Sequence, residues 1–102
     1  MSKKTIRKRV LAAIEKDPHK KTFKRVSLFG SYVYGKPKRN SDLDVLIEFS
    51  PRATITLFDL AEIQRNMQKS TKVKIDLVTR GGLSKFIKEE VLSKAEIIYE
   101  KR

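Results

Sequence analysis

Apolar residues recur every three or four positions in three stretches of the chain, which is the spacing of a helix with one buried face. The first predicted helix covers about residues 5–16 and ends before Pro18, which cannot continue a helix. The second covers residues 57–69 behind Thr56, a good N-cap, and we expect its apolar stripe to pack in the core. The third covers about residues 83–93. The apolar positions that define these helices are Ile6, Val10, Ala13, Ile14, Leu57, Leu60, Ala61, Ile63, Met67, Leu83, Phe86, Ile87 and Val91.

Strand patterns lie between the predicted helices. They cover residues 25–29, 42–49 and 73–78, with residues 96–99 as a short closing strand. A loop at residues 36–41 is indicated by its proline, asparagine and serine. Because helices alternate with strands, we predict an α/β (α+β) layer fold in one domain, residues 1–102. We expect a small mixed sheet of three to four strands with helices packed on one face.

The first strand pattern ends in a turn that suits a phosphate group. Gly30 lets the backbone approach a ligand closely, and Ser31 is a good N-cap for a brief helix that Gly35 would end. The free N–H groups that open this helix, together with the Ser31 hydroxyl, form an anion site. We therefore expect phosphates to bind at Gly30 and Ser31.

Two later strands carry three aspartates. Asp42 and Asp44 are two residues apart, so both side chains point away from the core-facing Leu43 and Val45. If the strand with Asp76 is their neighbour, three carboxylates share one patch, and each pair near 4 Å repels by roughly 4 kcal/mol at an effective dielectric of about 20. Mg²⁺ or Mn²⁺ would relieve this repulsion, because hard divalent ions bind carboxylate and phosphate oxygens. We expect two such ions.

The formal net charge of +12 is concentrated in residues 1–40, which carry +11, while residues 41–102 carry +1. Most of the early basic residues fit a solvated helix face and its exit, although attraction to a polyanion stays open. Lys36, Lys38 and Arg39 differ from them, because they lie between the two halves of the proposed site.

Composition excludes several other classes of site. Without cysteine and with a single histidine, the chain cannot form disulfides, thiolate zinc sites, multi-histidine zinc sites or a cysteine nucleophile. There is neither an apolar run near the roughly 20 residues that span a bilayer nor a secretory signal, so we expect a cytoplasmic protein. A chain of 102 residues has room for one substrate cleft, and we expect the second substrate to be an external macromolecule.

Three segments resemble the signature of a known family: Gly30-Ser31-Tyr32-Val33-Tyr34-Gly35, Ser41-Asp42-Leu43-Asp44-Val45-Leu46-Ile47 and Ile75-Asp76-Leu77-Val78. In this order they resemble the minimal nucleotidyltransferases of the DNA polymerase beta superfamily. The resemblance implies the nucleotidyltransferase fold and transfer of AMP from ATP, with pyrophosphate leaving. It implies that Gly30 and Ser31 hold the β- and γ-phosphates, that Asp42 and Asp44 bind both metal ions, and that Asp76 completes the metal ion that activates the acceptor hydroxyl.

The phosphate turn departs from the family pattern in two places. Many members have arginine where this chain has Tyr34, and often glutamate where it has Lys36. We hypothesise that Lys36, Lys38 or Arg39 neutralises the leaving pyrophosphate and so replaces the missing charge.

The resemblance also implies a partner. Minimal members of the family are often encoded beside a small helical HEPN-domain protein, as antitoxin and toxin, and modify a tyrosine of that partner. Two other functions stay open: a non-catalytic module that keeps the fold and neutralises its partner by occlusion, and a basic nucleic-acid-binding domain. The latter is less favoured, because the sequence lacks an aromatic stacking ladder and a helix-turn-helix pattern. A homo-oligomer is also compatible with the sequence.

Overall fold

A computed structural model describes residues 2–35 and 42–101 of the chain. Within these ranges the elements are α1 (Lys3–Lys16), β1 (Phe23–Phe29), α2 (Ser31–Tyr34), β2 (Leu43–Phe49), α3 (Leu57–Thr71), β3 (Ile75–Thr79), α4 (Lys85–Lys94) and β4 (Glu96–Glu100). Single turns of 3₁₀ helix at Lys20–Thr22 and Arg80–Gly82 precede β1 and α4. Every predicted helix and strand is present, and its ends differ from the prediction by no more than two residues.

The strands form a mixed sheet in the order β3-β2-β1-β4. The central strand β1 is antiparallel to both of its neighbours, β2 and β4. The edge strand β3 is parallel to β2, and a parallel pair requires a long crossover, which α3 provides. The predicted mixed sheet is therefore confirmed, and the parallel pair brings the starts of β2 and β3 to the same end of the molecule.

One face of the sheet carries the main hydrophobic core. The helices α1 and α3 pack against each other and cover this face. On β2, alternation sends every second residue toward them. The buried side chains of this core are Ile6, Val10, Ala13, Ile14, Phe23, Val26, Leu28, Leu43, Val45, Ile47, Ile63, Met67 and Ile75. The intervening residues of β2 and β3, among them the aspartates, consequently project from the opposite face.

The path of the chain indicates that α4 lies on the opposite face, so the predicted arrangement of helices on one face applies to α1 and α3. The chain runs outward from β2 to β3 and then back across the sheet to β4, which is parallel to β3. Crossovers between parallel strands of one sheet are right-handed. The crossover from β2 to β3 and the crossover from β3 to β4 run in opposite directions across the sheet, so their helices α3 and α4 lie on opposite faces. Leu46 of β2 and Val91 of α4 are both buried outside the main core, in agreement with this placement.

Four residues of the predicted apolar stripes are exposed, among them the small Ala61. Leu57 is 83% exposed, Phe86 88% and Ile87 47%. The prediction that Leu57 and Ala61 pack in the core was wrong, because both lie on a flank of α3 away from the side on which Leu60 contacts the core. Within residues 2–35 and 42–101, no helix is both long enough and apolar enough to cross a membrane.

A capping box fixes the start of α3. The Thr56 hydroxyl accepts a hydrogen bond from the backbone N–H of Asp59 at 3.2 Å, and the Asp59 carboxylate accepts one from the N–H of Thr56 at 2.9 Å. These bonds, the backbone one first, hold the pKa of Asp59 below its ordinary value. We predict that Thr56→Ala lowers the free energy of unfolding by about 1 kcal/mol in urea denaturation, because one of these bonds is lost. The exposed Thr54 provides the control, and an equally large loss in Thr54→Ala would contradict the capping role.

Candidate active site

The turn after β1 has a backbone conformation that favours a residue without a side chain. Gly30 has φ +78°, a backbone conformation that side chains disfavour. Its carbonyl accepts a hydrogen bond from the N–H of Val33 at 3.0 Å, which starts α2. A β-carbon placed on Gly30 would lie 1.9 Å from Oδ2 of Asp44. The turn and the Asp44 carboxylate are therefore in immediate contact.

Asp44 and Asp76 face each other across the parallel pair. The register of β2 and β3 matches Asp44 with Asp76, and their carboxyl groups are close enough to share a hydrogen bond. Asp42 immediately precedes β2, two residues before Asp44, and its charge also reaches Asp44. The condition for a shared patch, that the two strands are neighbours, is met, and the sheet brings all three aspartates to one end of one face.

This crowding changes the chemistry of Asp44. Its half-buried position, followed by repulsion from Asp76 and Asp42 and the hydrogen bond with Asp76, raises its pKa to about 6. Burial and like charges both disfavour the ionised form, so the two effects add. A bound cation would reverse this balance by favouring the carboxylate.

A fourth acid on the same face has a different environment. Glu48 lies four residues after Asp44 on β2, and its side chain is only 7% exposed. It forms ion pairs with Arg25 at 3.5 Å and with Arg80 at 3.3 Å. Asp42, Asp44 and Asp76 form no ion pair with any Lys or Arg in the described part of the chain. The burial of Glu48 was not predicted, although its spacing from Asp44 places it on the same face. Glu48 therefore has its counterions within the described part of the chain, where the three aspartates have none.

The donor set at the aspartates fits a hard divalent cation. Across residues 2–35 and 42–101, no three His, Cys, Asp or Glu side chains are grouped closely enough to hold a metal ion by themselves. Asp44 and Asp76 instead form an open pair flanked by Asp42. Magnesium commonly uses one or two carboxylates and completes its shell with water and substrate phosphates. An open carboxylate pair beside a phosphate turn suits a metal ion that arrives with its nucleotide.

Several predicted site residues lie outside the described residues. Lys36, Lys38 and Arg39 fall in the undescribed range, so their hypothesised role toward pyrophosphate stays a prediction. The backbone of Ser31 begins α2, beside Gly30, in agreement with the predicted brief helix. The role of its hydroxyl toward phosphate also stays a prediction.

Comparison with known proteins points to a single family. The family model of the nucleotidyltransferase domain matches residues 7–98. Protein adenylyltransferase MntA of Thermococcus cleftensis is 30% identical over 76 residues, which cover 74% of this chain and 73% of that protein. A solved structure of a candidate minimal nucleotidyltransferase is 32% identical, with a TM-score of 0.77 and coverage of 93% of this chain and 94% of that chain. A chain in the solved complex of triply AMPylated Shewanella oneidensis HEPN toxin with MNT antitoxin has the same fold, with a TM-score of 0.68 and 15% identity. The match covers 97% of this chain and 73% of that chain.

The contact between Gly30 and Asp44 gives a test of the turn. We predict that Gly30→Ala lowers the free energy of unfolding by about 1–2 kcal/mol, because the positive φ is strained and the Asp44 carboxylate must shift to avoid the methyl group. Urea denaturation measures this change. The matched control is Gly81→Ala, where a β-carbon meets nothing within 4 Å, and there we expect a change within about 0.5 kcal/mol. Equal effects in the two variants would contradict the close approach of Gly30.

The raised pKa of Asp44 gives a test by pH. Because the folded carboxyl has a higher pKa than the unfolded chain, its stabilising effect is complete below about pH 4 and is lost as the pH rises through about 6. We predict that Asp44→Asn, compared with wild type in EDTA, gains about 1–2 kcal/mol of stability between pH 4 and pH 7.5, a value reduced for solvent screening.

The control for this titration is Asp59→Asn. The pKa of Asp59 is lowered by its capping bonds, so its contribution to stability is present at neutral pH and is lost on acidification. The stability of Asp59→Asn relative to wild type should therefore fall as the pH rises. The two variants should show opposite trends, and a parallel trend would mean that Asp44 is not desolvated and repelled as the geometry indicates.

Proposed function

The chain belongs to the nucleotidyltransferase domain family, and we propose that it transfers AMP from ATP to a hydroxyl group of a partner protein. Membership in this family makes the chain a nucleotidyltransferase. The observation that carries the proposal is the group of carboxylates that have no counterion among residues 2–35 and 42–101, next to a turn whose backbone favours glycine. Three carboxylates that form no ion pair within the described residues are suited to receive cations and metal-bound phosphates from solution.

In this proposal Asp42, Asp44 and Asp76 would hold Mg²⁺ or Mn²⁺. Two such ions would balance the negative charge of the three carboxylates. When bound, the ions would neutralise charge on the triphosphate and lower the pKa of the acceptor hydroxyl. The N–H groups at the Gly30 turn and the Ser31 hydroxyl hold the β- and γ-phosphates. Lys36, Lys38 and Arg39 offset the charge of the departing pyrophosphate.

The acceptor oxygen forms a bond to the α-phosphorus while the bond from that phosphorus to the bridging oxygen of pyrophosphate breaks. Asp76 is the exposed member of the facing pair, and it lies on the side of β2 away from the Gly30 turn. We propose that Asp76 accepts the proton of the acceptor hydroxyl and afterwards releases that proton to solvent. Asp44 is half-buried against the turn, so its role is to bind the metal at the phosphate side.

We further propose that the partner is a HEPN-domain protein and that the pair acts as antitoxin and toxin in the cytoplasm, where ATP is available. Support comes from the solved complex of an AMPylated HEPN toxin with MNT antitoxin, because a chain of that complex has the same fold as this chain. The similarity to a protein adenylyltransferase over 74% of the chain supports a protein acceptor. The size of the chain also fits an acceptor that is brought by a partner.

Nucleotide binding by calorimetry tests the metal site directly. We predict that the wild type binds ATP only with Mg²⁺ or Mn²⁺, and that the Asp42→Asn, Asp44→Asn double variant binds at least tenfold more weakly, because two carboxylates that hold the metal are neutral. Glu89→Gln removes one charge from the exposed side of α4 and should leave binding unchanged. Tight ATP binding in EDTA would contradict the proposed metal dependence.

Transfer is followed with ATP labelled at the α-phosphate and a co-expressed HEPN-domain partner. The wild type should label the partner, and the double variant should reduce the rate by more than about 100-fold. Label transfer that survives in the double variant would refute the mechanism. Binding of the partner without any label transfer by the wild type would instead support the occlusion module.

A further inference from the structure

The order of the strands gives the candidate site two different sides. The Gly30 turn follows β1, Asp42 and Asp44 lie at the start of β2, one just before it and one within it, and Asp76 lies on the edge strand β3. If the turn holds the β- and γ-phosphates, the α-phosphate lies over β2, and the acceptor must approach from β3, opposite the leaving group. This inference rests on the proposed function. The side chains around the start of β3 are therefore placed to contact the acceptor.

Lys74 is fixed at this side by the sheet itself. Its carbonyl accepts a hydrogen bond from the N–H of Leu43 at 2.8 Å, so the parallel ladder continues one residue before β3. In that register Lys74 lies opposite Asp42, and alternation places its side chain on the same face as Asp76. The side chain is exposed, and it has no acidic partner among the described residues.

Lys72 adds a second cation two residues earlier. It ends α3 in the left-handed conformation, with φ 60° and its N–H bonded to the carbonyl of Gln68. Glycine is the usual residue in this position, because a side chain is strained there. The Lys72 side chain is exposed and is likewise without an acidic partner in the described ranges. Lysine thus occupies a position where backbone geometry favours glycine.

The surrounding sequence keeps this corner basic. Between Glu62 and Asp76 the chain has four basic residues and no acidic one. It also has no aromatic residue between Phe58 and Phe86, so this segment offers no platform on which nucleic-acid bases could stack. A basic, non-aromatic edge complements carboxylates of a protein better than it complements single-stranded nucleic acid.

We propose that Lys72 and Lys74 form an acceptor rim that selects a hydroxyl carried on an acidic segment of the partner protein. Without the rim, the aspartates at the site would repel such a segment. With it, glutamates or aspartates beside the acceptor hydroxyl face two ammonium groups that are not used by any acid of this chain in the described residues. The rim is therefore a specificity determinant for the acceptor, on the side of the site away from the phosphate turn.

The first experiment measures peptide binding to the full chain in complex with Mg²⁺ and a non-hydrolysable ATP analogue. Three fluorescent nine-residue peptides carry a central tyrosine flanked by glutamate, glutamine or lysine. At low salt, the glutamate peptide should bind about three- to tenfold more tightly than the glutamine peptide, and the lysine peptide more weakly, as expected for two exposed ion pairs. The Lys72→Gly, Lys74→Gln double variant should bind the glutamate and glutamine peptides equally.

Two controls separate charge from folding. Glycine relieves the left-handed strain at position 72, so the double variant should unfold in urea no more easily than the wild type. Lys85→Gln removes an equivalent exposed charge at the start of α4, and it should keep the preference for the glutamate peptide.

The outcomes distinguish this inference from the proposed function. Wild-type protein that binds the glutamate peptide no better than the glutamine peptide, or fails to bind it, overturns the rim even if ATP binding depends on Asp42 and Asp44. A double variant that loses ATP affinity but keeps the peptide preference assigns the lysines to the nucleotide instead. Displacement of the glutamate peptide by a single-stranded RNA of twelve nucleotides, through these same lysines, also overturns it. ATP binding that is independent of Asp42 and Asp44 refutes the proposed function itself.

Discussion

The candidate site is shaped by carboxylates that the sheet holds together and that repel one another. Asp44 is pressed against the Gly30 turn and faces Asp76, and its pKa rises to about 6 as a result. Glu48, on the same strand and the same face, shows the alternative, since Arg25 and Arg80 pair with it. A protein could have placed a basic residue beside Asp44 in the same way. Among the described residues Asp44 has no such counterion, and in the proposed function the metal-bound substrate supplies it.

The fold supplies this arrangement through two local requirements. The parallel pairing of β2 with β3 aligns Asp44 with Asp76, and it exists because α3 crosses the core face between them. The positive φ of Gly30 turns the chain sharply enough to bring the start of α2 against the carboxylate. Core packing and site geometry are thus linked, because alternation along β2 commits one set of residues to the core and the other to the site.

Much of this could be predicted from the sequence, because periodicity and turn residues report local structure. The positions of the elements and the shared face of Asp42 and Asp44 follow from alternation, and the family resemblance supplied the roles. Strand order is a non-local property, and only the structure shows that β3 is the edge strand and that Lys74 lies opposite Asp42. The exposure of Leu57 and the burial of Glu48 also depend on which elements cover each position, which a single strand or helix pattern does not contain.

The most direct test of the central claim is a crystal structure of the chain with Mn²⁺ and a non-hydrolysable ATP analogue, with the metal located by its anomalous scattering. We predict at least one Mn²⁺ bound by carboxylate oxygens of Asp44 and Asp76. The β- and γ-phosphates should lie over the Gly30 turn, and the α-phosphate should lie between that turn and the metal ion. Manganese and triphosphate bound at another surface, with these carboxylates still facing each other without a metal ion, would contradict it.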